Sequence, residues 1–286
     1  MVSSHTPFAV SCNLRLQNLG LAHVKSNCVT KRSMTKKAIF SLVMNLQQSR
    51  LTRDQKRLFF AEGIRNFLRA SQEQFVARVI LHCDILCKSS AVRQYLRQTD
   101  TPILRVTPEE FRRFSQTEHA SGIAAIYQQQ IKNLSAVNAS DSSWIVLHQI
   151  KNAGNFGTLI RTANASGNSG FVLLEQSIEP FAPAAIRASM GGIYQQKFVR
   201  VSPVQFKKFL EQNDFKAIGA TPDGLVNFRE FAYPQPAFIM LGEERSGLSQ
   251  VQRDLCDDLV RIPMQPNTDS LNLGVAGSLL LYAISR

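Results

Sequence analysis

"SWIVLHQIKNAGNFGTLIRTANASG", residues 143–167, begins as an apolar run of strand length, breaks at a polar junction rich in Asn and Gly, and resumes with helical spacing. It predicts a strand from residue 143, then a helix from about Gly157, with Asn155 and Gly157 at its mouth. Similar units follow. "GFVLLE" precedes a helix around "PAAIRASMGG", "KFVRV" precedes the helix "SPVQFKKFLEQN", and the strands "FKAIGAT", "PAFIMLG" and "LVRIP" lead to a closing helix from Leu273. Strands alternating with helices predict an α/β domain on a parallel sheet over residues 143–286.

The alternation also runs through residues 37–127, in a smaller α/β domain expected to have a mostly parallel sheet. Thr107, Pro108 and Glu110 spell a capping box and a first-turn proline for one of its helices. Residues 128–142, polar and aperiodic, are the expected linker. Residues 1–36 contain no acidic side chain and are expected to be disordered. For them a mobile basic arm, an over-extended start with Met34 or Met44 as the real beginning, and an organellar transit peptide stay open, the last ranked lowest for its weak apolar spacing.

Charge is distributed unevenly. Residues 1–140 hold 20 Lys and Arg against 8 Asp and Glu, whereas residues 141–286 hold 13 against 13, so the whole net charge of +12 lies in the front half. Such an excess is the footprint of a polyanion-binding module. Arg65, Arg69, Arg93, Arg97, Arg112 and Arg113 together read as a phosphate-facing surface, although any one alone reads as a solvated helix face. Apolar runs fall far short of the roughly 20 residues of a bilayer span. Five irregularly spaced cysteines favour a reducing compartment over a disulfide framework, and "HCDILC" reads as a strand end rather than a metal site.

In an open parallel sheet, ligands bind beyond the carboxyl ends of strands. Three junctions stand there. The first carries Asn155 and, one turn after Gly157, Arg161, a guanidinium suited to phosphate. The second, "LGEERSGLS", has P-loop glycine spacing from Gly242 to Gly247 but Leu248 where the lysine belongs, so the group that holds terminal phosphates is missing. It is left as a turn whose backbone approaches some other ligand, with Glu244 facing into it. The third is "TDSLNLGVAGSLLLYAISR", where Ser270 is the expected helix cap and Asn272 has no evident structural reason.

Taken in order, these junctions resemble the SpoU/TrmH family of RNA ribose 2′-O-methyltransferases, within the trefoil-knotted superfamily. "NFGTLIRTA", "LGEERSGLS" and "RIPMQPNTDSLNLGVA" look like its three motifs. "FFAEGIRNFLRA" and "SGIAAIY" are similar to the ribosomal-protein-like, RNA-holding domain that often precedes it. Departures are Asn152-Ala153 where Asp-Pro is common, Arg245 where Gly is frequent and Gly274 where Ser is usual.

The resemblance implies S-adenosylmethionine held by Leu241, Gly242, Ile262 and Leu271 with Thr221 nearby, and no metal. It implies that Arg161 clamps a phosphate and steers the ribose oxygen. Asn155 would orient Arg161 or the ribose, Glu244 restrain Arg161 or its loop, and Ser270 and Asn272 bind the nucleotide. It further implies a homodimer through the C-terminal domain, a cytoplasmic protein, and ribosomal RNA ahead of transfer RNA as substrate. The rival from another class is a non-catalytic RNA-binding or ribosome-assembly factor with the same fold.

Overall fold

Trp144, Ile145, Val146 and Leu147 are completely buried. A continuous apolar run of this kind belongs to a strand in the middle of a parallel sheet, covered on both faces. The computed structural model describes residues 34–175, 177–266 and 270–285. The expectation of disorder for residues 1–36 therefore falls, up to residue 33, outside the described residues.

The front part runs α1 (Lys36–Gln48), α2 (Arg50–Lys56), β1 (Leu58–Glu62), α3 (Ile64–Gln72), β2 (Ala77–His82), α4 (Ser90–Gln98), β3 (Ile103–Arg105), α5 (Pro108–Arg112) and β4 (Ile123–Gln128). The capping box at Thr107 and Glu110 is present on α5. The mostly parallel sheet expected here is corrected: the strand order is β1-β4-β2-β3, and only β2 and β3 pair in parallel. β4 inserts antiparallel between β1 and β2, so β2-α4-β3 is the one crossover unit and β4 comes back against it. Gly122, at φ 71, makes that return possible; a Cβ there would overlap Leu86 and Cys87. His82 ends β2, with Cys83 and Cys87 in the turn beyond it.

The second part runs β5 (Ile131–Lys132), β6 (Ser143–His148), α6 (Ala153–Ser166), β7 (Gly170–Leu174), α7 (Pro183–Ala188), β8 (Lys197–Val201), α8 (Pro203–Asn213), β9 (Lys216–Ala220), β10 (Val226–Asn227), β11 (Ala237–Leu241), α9 (Gln250–Arg253), β12 (Asp258–Arg261) and α10 (Leu273–Ile284). Its eight strands lie in the order β10-β12-β9-β11-β6-β7-β8-β5, every pair parallel. Phe156, Ile160, Ile186 and Leu280 bring α6, α7 and α10 onto one face, while Phe206 and Leu210 bring α8 onto the other. The linker stretch is not free, since β5 adds an edge strand to β8.

A shared core joins the two parts. Phe59 of β1 stacks on Phe181 at 4.6 Å between ring centroids, and Phe75 meets Tyr194 edge-on at 5.0 Å. Beside these rings the buried Arg53 guanidinium grips both carboxylate oxygens of the equally buried Glu179, Nη2 to Oε2 at 2.7 Å. A buried pair of this kind is sensitive to loss of one partner, at a cost of about 3–5 kcal/mol.

Candidate active site

Where the chain leaves β6, Asn152 caps α6 by accepting from the backbone N–H groups of Gly154 at 2.8 Å and Asn155 at 3.1 Å. The helix thus starts at Ala153, four residues before the predicted start, and Asn155 and Gly157 do not open it. Asn155 is buried in its first turn. Gly157 lies in the second, where a Cβ would overlap Ala188, so its task is close helix packing.

The side chain of Asn155 connects the other two junctions. Its Nδ2 donates to Glu244 Oε1 at 2.9 Å, and its Oδ1 accepts from Asn272 Nδ2 at 2.8 Å. Asn272 Oδ1 in turn accepts from Gly274 N at 2.9 Å and Val275 N at 3.4 Å, which makes Asn272, not Ser270, the cap of α10. Ser270 is exposed and makes no hydrogen bond among the described residues. A single polar chain, Asn272 to Asn155 to Glu244, therefore ties the three strand-end loops together.

The loop after β11 closes on itself. Glu243 and Gly247 exchange backbone hydrogen bonds of 3.0 Å each, and a Cβ on Gly242 would overlap the Gly247 carbonyl carbon. Only glycine fits there. Ser246 Oγ donates to Glu243 Oε2 at 2.7 Å and stiffens the turn.

A cavity of about 420 Å³ opens between this loop and those after β9 and β12. Thr221, Leu241, Gly242, Ile262 and Leu271 all line it, as do Glu244 and Ser270. Asn155 and Asn272 support its rim without lining it. Arg161 does not line it; it is exposed and makes no hydrogen bond or ion pair, with Glu244 or any other residue, among the described residues. Residues 267–269, in the third loop, lie outside the described residues.

A polar corner of the cavity adds Asp223 and Arg253, not anticipated from the sequence, to the expected Thr221. Arg253 Nη2 donates to Asp223 Oδ1 at 3.0 Å and to Thr221 Oγ1 at 3.2 Å, and Thr221 donates its hydroxyl to Asp223. The Arg253 guanidinium, helped by Thr221, pulls the Asp223 carboxyl down to about 2, so it is anionic at any working pH. The signal available for Asp223 was its place in "ATPDG", a fourth polar turn beyond a strand; Arg253, on a one-turn helix, carried none.

An apolar floor of Leu241, Ile262, Leu271 and Leu273, with carboxylates and guanidinium at the edge, suits a compact ligand that is part aromatic and part zwitterionic. Main-chain groups of a closed glycine loop can read such a ligand without a side chain intervening.

Residues 142–282 match the family described as SpoU rRNA Methylase, and residues 42–125 match the MRM3-like substrate binding domain. A 23S rRNA (uridine(2479)-2′-O)-methyltransferase of Streptomyces viridochromogenes is 25% identical over 264 residues, 90% of this chain and 92% of that protein. A putative TrmH family tRNA/rRNA methyltransferase of Staphylococcus haemolyticus is 30% identical over 146 residues, spanning 51% of this chain and 59% of that protein. Among solved structures, the SpoU methyltransferase AviRb of Streptomyces viridochromogenes in complex with AdoMet superimposes with a TM-score of 0.81 at 24% identity, over 87% of this chain and 97% of that one. An AdoMet-bound rRNA methyltransferase from Sinorhizobium meliloti gives 0.78 at 24% identity, over 86% and 93%.

Proposed function

We propose that this chain, which belongs to the SpoU methylase family, transfers the methyl group of S-adenosylmethionine to a ribose 2′-hydroxyl of ribosomal RNA. The observation that carries the reading is the Asn272-Asn155-Glu244 chain, which gathers three widely separated loops around one cavity. The substrate named for the Streptomyces relative, which matches along nearly the full length of both chains, favours ribosomal RNA.

The residues present fit the cofactor: the cavity is of nucleoside size, and its Gly242 wall admits no side chain. Backbone groups at Gly242, Ile262 and Leu271 would hold it, with Leu241 in the floor and Thr221 at the polar corner. When bound, it supplies an electrophilic methyl group on a sulfonium. What the protein adds is position. Asn155 and Glu244 hold the loop after β11 at a fixed distance from the mouth of α10, and Ser270, free of capping duty, is available to the nucleotide. Arg161 offers a forked guanidinium with donors only, a clamp for the phosphate beside the reacting ribose rather than a free base.

Arg161 stands away from the cavity of its own chain, and this favours a second copy bringing it in. Val275, Leu279 and Tyr282, spaced i, i+4 and i+7, form an exposed apolar stripe on α10. We assign that stripe to a homodimer of C-terminal domains. Leu279 also borders a smaller hollow shared with Ile262 and Leu271, so the stripe adjoins the cofactor loops. Among the described residues no helix is long and apolar enough to cross a membrane.

The test is to incubate the purified protein with methyl-labelled S-adenosylmethionine and either ribosomal or transfer RNA. Label in ribose of ribosomal RNA supports the proposal, and label in transfer RNA alone moves the substrate. Absence of cofactor binding by calorimetry leaves a non-catalytic RNA-binding factor.

A further inference from the structure

We infer that the RNA phosphates run along one arginine arc that crosses the junction between the two parts of the chain: Arg65 and Arg69 of α3, Arg187 of α7 and Arg161 of α6. This rests on the reading of the chain as an RNA methyltransferase and adds where its substrate lies.

The arc is centred on the turn after α7. Gly191 takes a φ of 87, and a Cβ there would stand 3.2 Å from Arg69 Cγ and 3.5 Å from Arg65 Cγ. The stems of both arginines thus leave the front sheet's helix and lie on the turn, with their charged ends exposed. On the other flank Asn164 Nδ2 donates to the Gly192 carbonyl at 2.9 Å, and Gly157 abuts Ala188. Arg161 falls between Gly157 and Asn164, four residues after one and three before the other, on the same stripe of α6. Arg187, next to Ala188, donates to Gln116. That contact is itself held, since Glu62 accepts from Ser115 Oγ, Gln116 N and Thr117 Oγ1 at 2.8–2.9 Å.

The charge of the arc is unspent, as it also is at Arg97, Arg112 and Arg113 among the described residues, and what sets the four apart is their place around one turn. Arg53, Arg105, Arg200 and Arg253 each pair with a carboxylate. None of the four arc arginines does so among the described residues: Arg69 and Arg187 meet only the neutral Gln72 and Gln116, and Arg65 and Arg161 have no protein partner there. Guanidinium forks left open on one surface match phosphate oxygens. Their spacing is set by the junction, where Arg53 grips Glu179 and Phe59 stacks on Phe181. The arc therefore fixes the span between the gripped backbone and the nucleotide presented to Arg161.

The experiment uses the full chain and an unmodified large-subunit ribosomal RNA transcript, with binding titrated across salt concentrations. The variants are Arg65→Gln with Arg69→Gln, Arg187→Gln alone, and Lys207→Gln with Lys208→Gln as control, on α8 over the opposite face of the large sheet. The arc variants are expected to bind RNA about tenfold more weakly or worse, with a salt dependence flatter by about one phosphate contact per arginine, as counterion release requires. S-adenosylmethionine affinity and melting temperature should stay at wild-type values, and the control should bind RNA like wild type. Unchanged RNA affinity and salt slope in both arc variants would overturn the inference. So would an equal loss in the control, which would mean diffuse attraction. If wild type transfers no methyl group while the arc variants still lose RNA binding, the enzymatic reading fails and the arc stands.

Discussion

Asn272 and Asn155, 117 positions apart, meet at 2.8 Å, Nδ2 to Oδ1. Through this bond the residue that caps the last helix also fixes the first turn of α6. Asn155 in turn holds Glu244 at 2.9 Å. Capping and site assembly are one structural device.

Asn272→Ala removes the cap of α10 and leaves the buried Asn155 carbonyl oxygen unpaired. Loss of a cap costs about 1 kcal/mol, and an unsatisfied buried acceptor about 1–3 kcal/mol more. Asn272→Asp keeps the cap but cannot donate to Asn155. Because both variants leave that acceptor unpaired, denaturant midpoints should fall in both, and methyl transfer should fall with them. Normal transfer by the Asp variant would leave Asn272 a purely structural residue.

Gly242→Ala places a methyl group where the Gly247 carbonyl carbon lies, so the loop after β11 must open. Calorimetry should record S-adenosylmethionine affinity lower by about tenfold or more, roughly 1.4 kcal/mol. Unchanged affinity would remove that loop from the cofactor's surroundings.

Arg53→Met strands Glu179 at the junction, with an expected loss of about 3–5 kcal/mol. The double variant Arg53→Met with Glu179→Leu should recover much of it. Because the aromatic core is continuous, urea unfolding of wild type should be a single transition. Two separate transitions, with Arg53→Met affecting only one, would show that the junction is weakly coupled.

Burial lowers the pKa of His82 and of His148, outweighing Asp84 and Glu175 respectively, which act to raise them; Arg105 and Arg93 add to the lowering at His82. A histidine kept neutral by the fold binds its proton more readily once unfolded. Its stabilising contribution is complete above the ordinary value near 6.5 and is lost as pH falls through that value towards the folded one. Urea midpoints should therefore drop from pH 7.5 to pH 5.5, and His82→Leu should flatten the drop. Equal midpoints at the two pH values would contradict the assignment.

The β6-to-α6 unit was legible because a fully buried strand leaves a continuous apolar run and the polar break after it is abrupt. The start of α6 was not, because Asn152 and Asn155 are equally able caps in sequence and only the backbone at Asn152 decides between them. Likewise Ser270 and Asn272 are equally able caps in sequence, yet Asn272 is the one that reaches two amides of α10 and Asn155 together. In the front sheet, alternation of strands and helices was readable, but strand direction depends on β4 slipping between β1 and β2, a long-range pairing without a local signature. Asp223 and Arg253 escaped for the same reason: they converge on Thr221 from the turn after β9 and from α9, some thirty residues apart.

The most direct test of the central claim is nucleoside analysis of ribosomal RNA after incubation with wild-type protein or Arg161→Ala and S-adenosylmethionine, with calorimetry of the cofactor alongside. Wild type should yield a 2′-O-methylnucleoside, and Arg161→Ala should yield it at a rate lower by about 100-fold or more, as loss of a positioning clamp implies, while binding the cofactor with near-wild-type affinity. A methyl group found on a base, or transfer by Arg161→Ala at the wild-type rate, would contradict the account.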